Sequence, residues 1–184
     1  MADQATVPPD QAARIAKALG REVGEASGAP ARTLLVFADW SAATAALSKK
    51  GVLAFVPGAA ATQIDEIVLP LDGSAAAERI LPLAAQLSLS EGMDLRLVVS
   101  KSGQYAPTGT PAPRYLSVLV NTLREQHVQA NGELRVEPLL NEAARLAKTC
   151  AGMVALCAGA ASGLPEGRAR EPLRGLPLLL YSPS

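Results

Sequence analysis

Histidine is almost missing from this chain: His127 is the single one among 184 residues, and the only cysteines are Cys150 and Cys157. With so few soft ligands, and no histidine near either cysteine, no zinc pattern can be assembled. Two cysteines are also too few for the disulfide framework of a small secreted domain, so both are read as small apolar fillers. His127 lies in the polar run REQHVQANGE at a predicted helix end, where a polar or positive side chain suits the last carbonyls. No serine or cysteine with a base-like context accompanies it, which argues against nucleophilic catalysis. An excess of one charge is lacking as well: 17 basic groups balance 17 acidic ones. The chain therefore has no charge-driven claim on nucleic acid or membrane lipid. No apolar run approaches the roughly 20 residues that span a bilayer, and the opening MADQATVPPDQ lacks the basic-then-apolar order of a secretory signal. The expected location is the cytoplasm.

What is present is a globular composition, 49% apolar and 18% charged. The length suffices for one domain plus a fragment but is short for two complete domains. From residue 64 onward apolar runs alternate with amphipathic stretches, the pattern of a mostly parallel sheet with helices on both faces. Five runs read as strands: 67–71, 95–99, 134–137, 153–157 and 176–181. Between the first two, residues 74–89 read as a helix, with Ser74 as N-cap and Glu78 supporting the first turn. It ends at Ser90-Glu91-Gly92, with Gly92 placed for a left-handed cap. The stretch 102–113 is dense in proline and glycine and reads as a loop, the kind that carries ligand contacts beside the carboxyl end of a strand. A helix over 114–129 follows, and Asn131-Gly132 is expected to turn the chain into the third strand. The helix 141–150 packs through Ala143, Ala144, Leu146 and Ala147. The last connection, 158–175, is interrupted by Pro165 and Pro172 and reads as loop with at most a turn or two of helix.

The leading residues look like the same construction cut short. A helix is predicted over 10–27 with Ala13, Ile15, Ala16 and Leu19 as its apolar positions, then a strand 33–37, a short helix 41–49 and a strand 52–56. Residues 57–62 (PGAAAT) read as a linker, which divides the chain into a fragment 1–58 and a domain 64–184. Two strands alone are marginal in water, so the fragment is expected to lean on the second unit or on another subunit.

At IVLPLDGSAAAERILPLAAQLSLSEGMDLRLVVS, residues 67–100, the chain resembles the opening β-α-β unit of the universal stress protein family. The residues that carry the resemblance are a strand ending in Pro-hydrophobic-Asp-Gly-Ser, a helix with Glu78 and a Leu81-Pro82 step, and a Gly-led turn into a second apolar strand. A final apolar strand within GLPLLLYSP closes the domain as the family does. The first 60 residues, with TLLVF, a short helix and VLAFVPG before IVLPLDGS, are similar to the junction in tandem members. The resemblance thus implies a five-stranded, open, mostly parallel α/β sheet (adenine nucleotide alpha hydrolase-like), preceded by a partial copy of the same fold.

Members that bind ATP use an aspartate after the first strand, a valine at the end of the second, and a glycine-rich stretch after the fourth strand for the phosphates. Carried onto this chain, the resemblance implies Asp72 near an adenosine, flanked by Pro70 and Leu71, with Val98 or Val99 against the base and Gly159 and Gly163 beside phosphates. Side chains at the carboxyl ends of parallel strands face a crevice that can seat a base and ribose. The phosphate part departs from the family pattern of Gly, two residues, Gly, nine residues, then Gly followed by Ser or Thr. Aligning Ser162-Gly163-Leu164 with the family's Ser-Gly-Leu puts Cys157 and Ala160 at the two glycine positions, and no Gly-Ser or Gly-Thr follows. Glycines exist there to let backbone N–H groups approach phosphate oxygens. Gly167, Gly175, Arg168, Arg170 and Arg174 also fall in this stretch, which reads equally as a solvated loop. Asp-Gly-Ser between strand and helix serves equally as cap and turn.

The resemblance then implies a non-catalytic universal stress protein that acts in stress response through dimerisation and partner contacts, without the usual ATP site and with no obligatory cofactor. The alternative is a switch protein or slow ATPase that binds ATP or another adenine nucleotide. A hydrolase reading fails for want of partners: Ser74 follows Gly73, but no Gly-x-Ser-x-Gly elbow exists. Family members commonly pair through their last strands. Here residues 52–56 are placed to pair with 178–181 inside one chain, while the fragment's incomplete other edge favours a homodimer.

Overall fold

The computed structural model describes residues 9–24, 33–59, 63–101, 104–105, 109–136, 138–159 and 164–183. In chain order the elements are α1 (Pro9–Ala18), β1 (Glu22–Gly24), β2 (Thr33–Val36), α2 (Trp40–Ala46), β3 (Val52–Val56), β4 (Glu66–Leu71), α3 (Ala75–Glu78), α4 (Leu81–Glu91), β5 (Asp94–Ser100), β6 (Gln104–Tyr105), β7 (Thr110–Pro111), α5 (Ala112–Glu125), β8 (Ala130–Arg135), α6 (Leu139–Thr149), β9 (Gly152–Cys157), a 3-10 helix (Gly167–Leu173) and β10 (Leu178–Ser182).

Eight strands form one sheet in the order β1-β2-β3-β10-β9-β4-β5-β8. The five strands expected of the second unit are all there, parallel to one another. They continue without a break into the three leading strands through a single antiparallel pair. In that pair Leu178 lies opposite Val56, Leu180 opposite Ala54 and Ser182 opposite Val52. The pairing itself follows from chemistry at the edge: both strands are runs of large apolar residues, and either left bare would be an aggregation site. The shared ladder covers both edges at once.

Strand alternation sends side chains to two layers. Ile67, Leu69, Leu95, Leu97, Phe55 and Leu179 join a core under α1, α3, α4 and α5. Val68, Val98, Val154, Ala54 and Leu180 join a second core under α2, α6 and the 3-10 helix. Both cores cross the β3–β10 pair, so the leading residues and the second unit share their apolar interior. Helix α1 rests on α4, with Arg14 Nη2 2.7 Å from Glu91 Oε2 and Gln86 Nε2 donating to the Ala18 carbonyl at 2.9 Å.

Several sequence expectations are corrected. The helix expected over 10–27 stops at Ala18, and residues 22–24 form a third leading strand. Its buried face is Ala12, Ile15, Ala16 and Leu19, spaced i, i+3, i+4 and i+7, while Ala13 is exposed. The helix expected over 74–89 is two helices, because Pro82 lacks an N–H and its ring clashes with the carbonyl four residues back. Helix α5 begins two residues early, with Pro113 in its first turn, and ends at Glu125. The reversal after it is made by His127, at φ 65°, so Asn131-Gly132 lies inside β8 rather than in a turn. Gly132 is needed there because a Cβ would come within 2.7 Å of Leu116. Glu137, the expected end of that strand, and residues 60–62 of the linker lie outside the described residues.

The sheet face beyond α6 is covered by charge instead of a helix. Glu66 on β4 accepts from Arg96 on β5, Arg96 reaches Glu133 on β8, and Glu133 accepts from Arg135. The ladder ends 3.9 Å away at Glu142 of α6. Glu66 is 5% exposed in its side chain, buried against Arg96.

Candidate binding site at the carboxyl ends of the strands

The carboxyl ends of β4, β5 and β9 lie side by side. Register places Pro70 opposite Val98 and Leu71 opposite Val99. The sheet therefore brings Pro70, Leu71, Asp72, Val98 and Val99 together, as their positions after the first and second strands of the unit predict. Their surfaces differ from what a nucleotide would use. Leu71, Val98 and Val99 are each 0% exposed. Val98 belongs to the layer under α6 and Val99 to the layer under α3, α4 and α5, so the two cannot line one pocket. Gly159, at φ 85°, follows β9 and is exposed. Gly163 and Ala160 lie outside the described residues. Arg168, Arg170 and Arg174 are exposed on or beside the 3-10 helix, and Arg174 sits 3.9 Å from Glu171.

Asp72 is half-buried, and its Oδ1 accepts from the Ser74 N–H at 2.9 Å and from the Ser74 hydroxyl at 2.7 Å. Ser74 Oγ in turn accepts from the Ala77 N–H at 3.1 Å, capping α3. This carboxylate oxygen is thus engaged in an Asx turn that starts the helix. Between the two residues, Gly73 adopts φ 82°, a conformation that costs glycine nothing.

Tyr105 packs directly on Gly73. A Cβ added at residue 73 would lie 2.1 Å from Tyr105 Cδ1. The Tyr105 ring is 1% exposed and stacks on Tyr115, with centroids 4.4 Å apart and planes 8° apart. Its hydroxyl donates to the Ser100 carbonyl at 3.1 Å. The Tyr115 hydroxyl donates to Glu78 Oε1 at 2.5 Å. Burial, followed by that carboxylate, holds the Tyr115 phenol far above its ordinary range. Sequence reasoning placed ligand contacts in the 102–113 loop but did not single out either tyrosine. The only signal was that, of the three tyrosines, Tyr105 lies within that loop and Tyr115 two residues past its end.

Cys157 closes the group from β9. Burial pushes its thiol up to about 11, the Arg79 guanidinium lowers it, and the Asp72 carboxylate raises it. The thiol is therefore protonated and poorly nucleophilic at neutral pH. Cys150 behaves alike at the other end of β9, pushed up to about 12 by burial and then by Glu66. Among the described residues no group of three or more His, Cys, Asp or Glu is placed to hold a metal, and no helix is long and apolar enough to cross a membrane.

No protein-family model and no curated protein matches the sequence. Solved structures do. A universal stress protein from Archaeoglobus fulgidus DSM 4304 superposes with a TM-score of 0.62 at 13% identity, over 82% of this chain and 62% of that one. The chain thus spans 62% of the length of that structure. Another universal stress protein from Archaeoglobus fulgidus aligns at 19% identity over 64% of this chain and 93% of its own, with a TM-score of 0.45. The fold is that of the universal stress proteins.

Proposed function

We propose that this chain is a non-catalytic universal stress protein that acts in a cytoplasmic stress response through protein contacts, without turnover of a nucleotide. What carries the reading is the content of the carboxyl-end crevice. The place where an open α/β sheet receives a ligand holds the chain's own Tyr105 ring on Gly73, and one Asp72 oxygen is committed to the helix cap. Protonated thiols and a lone exposed histidine add no catalytic group.

The organisation we favour is a tandem one, a shortened copy at residues 1–58 followed by a complete unit at 64–184. Its support is the antiparallel β3–β10 ladder, a last strand paired with a last strand inside one chain. A homodimer then forms at the β1 edge, which no other described strand pairs and where Val23 is 49% exposed. Calorimetry of the full chain with millimolar ATP and magnesium should give no binding heat, and light scattering should report a dimer that Val23→Lys splits. Binding heat that Asp72→Ala abolishes would replace this reading with a nucleotide switch. A strict monomer at high concentration would remove the dimer.

A further inference from the structure

We propose that the cavity at the seam between the leading residues and the second unit is a binding site for a small aromatic monocarboxylate. It is a hollow of about 250 Å³ at the carboxyl ends of β2 and β3, beside the amino end of β10. Because β10 runs antiparallel to β3 and parallel to β9, this end of the sheet is opposite the one that carries Asp72. The floor is Val56, Leu173, Leu176 and Leu178, buried side chains of the core under α2, α6 and the 3-10 helix. One wall is Trp40, the chain's single tryptophan, half-buried at the start of α2. Apolar surface left open beside an indole favours a flat apolar body, which gains ring contact beyond the area it buries. The volume suits a one-ring molecule, since pockets for drug-sized ligands start at about 300 Å³.

The rim decides the sign of the ligand. Four ionisable side chains line the cavity: Asp39, Arg170, Glu171 and Arg174. Asp39 is spent locally, since its Oδ1 accepts from the Ala42 N–H at 2.9 Å and caps α2. Arg174 Nη1 lies 3.9 Å from Glu171 Oε2, so these two charges largely offset each other. Among the described residues Arg170 is paired with no carboxylate. One cation therefore stands at the rim of an apolar hollow, and a carboxylate is its natural partner because the guanidinium fork can donate two parallel N–H bonds to it. Trp40 comes from the leading residues and Arg170 from the second unit. A ligand held by both would tie the two parts together across the β3–β10 seam.

The single tryptophan makes the test direct. Full-length wild type, Arg170→Gln and Arg168→Gln are titrated with phenylacetate, with phenylacetamide, which has the same shape and no charge, and with 2-phenylethylammonium, which has the opposite charge. Phenylacetate should change Trp40 emission saturably, with a Kd on the order of 1 mM for so small a molecule, and should raise Tm. Phenylacetamide should bind wild type roughly ten-fold more weakly, and Arg170→Gln should lose the same factor for phenylacetate. Arg168→Gln, at an exposed arginine outside the cavity, should bind as wild type does. Both substituted side chains are exposed, so neither change removes core packing. No saturable change in emission or Tm by about 20 mM phenylacetate, equal affinity for phenylacetamide, or tighter binding of 2-phenylethylammonium would each overturn the site. So would unchanged affinity in Arg170→Gln, or an equal loss in Arg168→Gln. Binding heat with ATP that Asp72→Ala abolishes would change the reading of the crevice at the other end of the sheet and leave the phenylacetate result standing.

Discussion

The ring of Tyr105 stands beside the place a Cβ of residue 73 would occupy, 2.1 Å from its Cδ1. Gly73→Ala must therefore move the ring or the turn, and it must also hold alanine at φ 82°. We expect a loss of about 2 kcal/mol in urea unfolding. In a double-mutant cycle Tyr105→Ala should cost clearly less on the Gly73→Ala background than on wild type, because the clash is gone. Additive losses would show that the two residues do not meet.

The Glu66–Arg96–Glu133–Arg135 ladder predicts an acid-sensitive fold. Burial pushes the Glu133 carboxyl up, but hydrogen bonds from Arg96 and Arg135 outweigh it, and the net effect is a value below the ordinary 4.5. A depressed carboxyl contributes stability that is present above its unfolded value and is lost as pH falls through the folded one. Stability should therefore drop below pH 4.5, and Glu133→Gln should flatten that drop in urea midpoints measured from pH 3 to pH 6. Arg96→Ala, which leaves buried Glu66 without its partner, should cost about 3 kcal/mol at neutral pH.

The two thiols predict the opposite limb. Their folded values, about 12 for Cys150 and about 11 for Cys157, lie above the ordinary 9.0. An acid held protonated by the fold contributes stability below its unfolded value and loses it as pH rises towards the folded one. The fold should therefore weaken from pH 9 upward, and replacing both residues with alanine should reduce that slope. At pH 8 neither thiol should react with iodoacetamide at an appreciable rate until urea unfolds the chain. Fast alkylation of the native protein would contradict the raised thiol values.

Phe55 is 0% exposed and lies opposite Leu179 across the antiparallel seam. Phe55→Ala should cost about 4 kcal/mol, as for other large core truncations. Because both cores run across that seam, calorimetry should show one transition that shifts as a whole. Two separate melts would mean that the leading residues fold apart from the rest.

Much of this fold was legible locally. The strand at 52–56 was read with its observed bounds, and Ser74 and Gly92 cap their helices as their residue types require. The pairing of 52–56 with 178–181, which the structure contains, was implied by the resemblance to tandem universal stress proteins rather than by local pattern. The misses have different physical causes. Pro82 sits where a helix restarts, and there the cause is local, a missing N–H and a ring that clashes with the preceding turn. His127 makes a turn in place of Asn131-Gly132, and β1 replaces the end of a helix; in these two tertiary packing overrode weak local preferences.

For the crevice, the sequence by itself determined which residues stand at the strand ends, because alternation and turn chemistry are properties of neighbours along the chain. It placed Asp72 at a turn and allowed it two roles, ligand or cap. Only the tertiary structure decided what fills the space in front of it. The Tyr105–Gly73 contact joins residues 32 positions apart, and the Tyr105–Tyr115 stack joins β6 to α5. Such contacts carry no local periodicity, since they arise when packed elements bring distant groups within a ring's thickness.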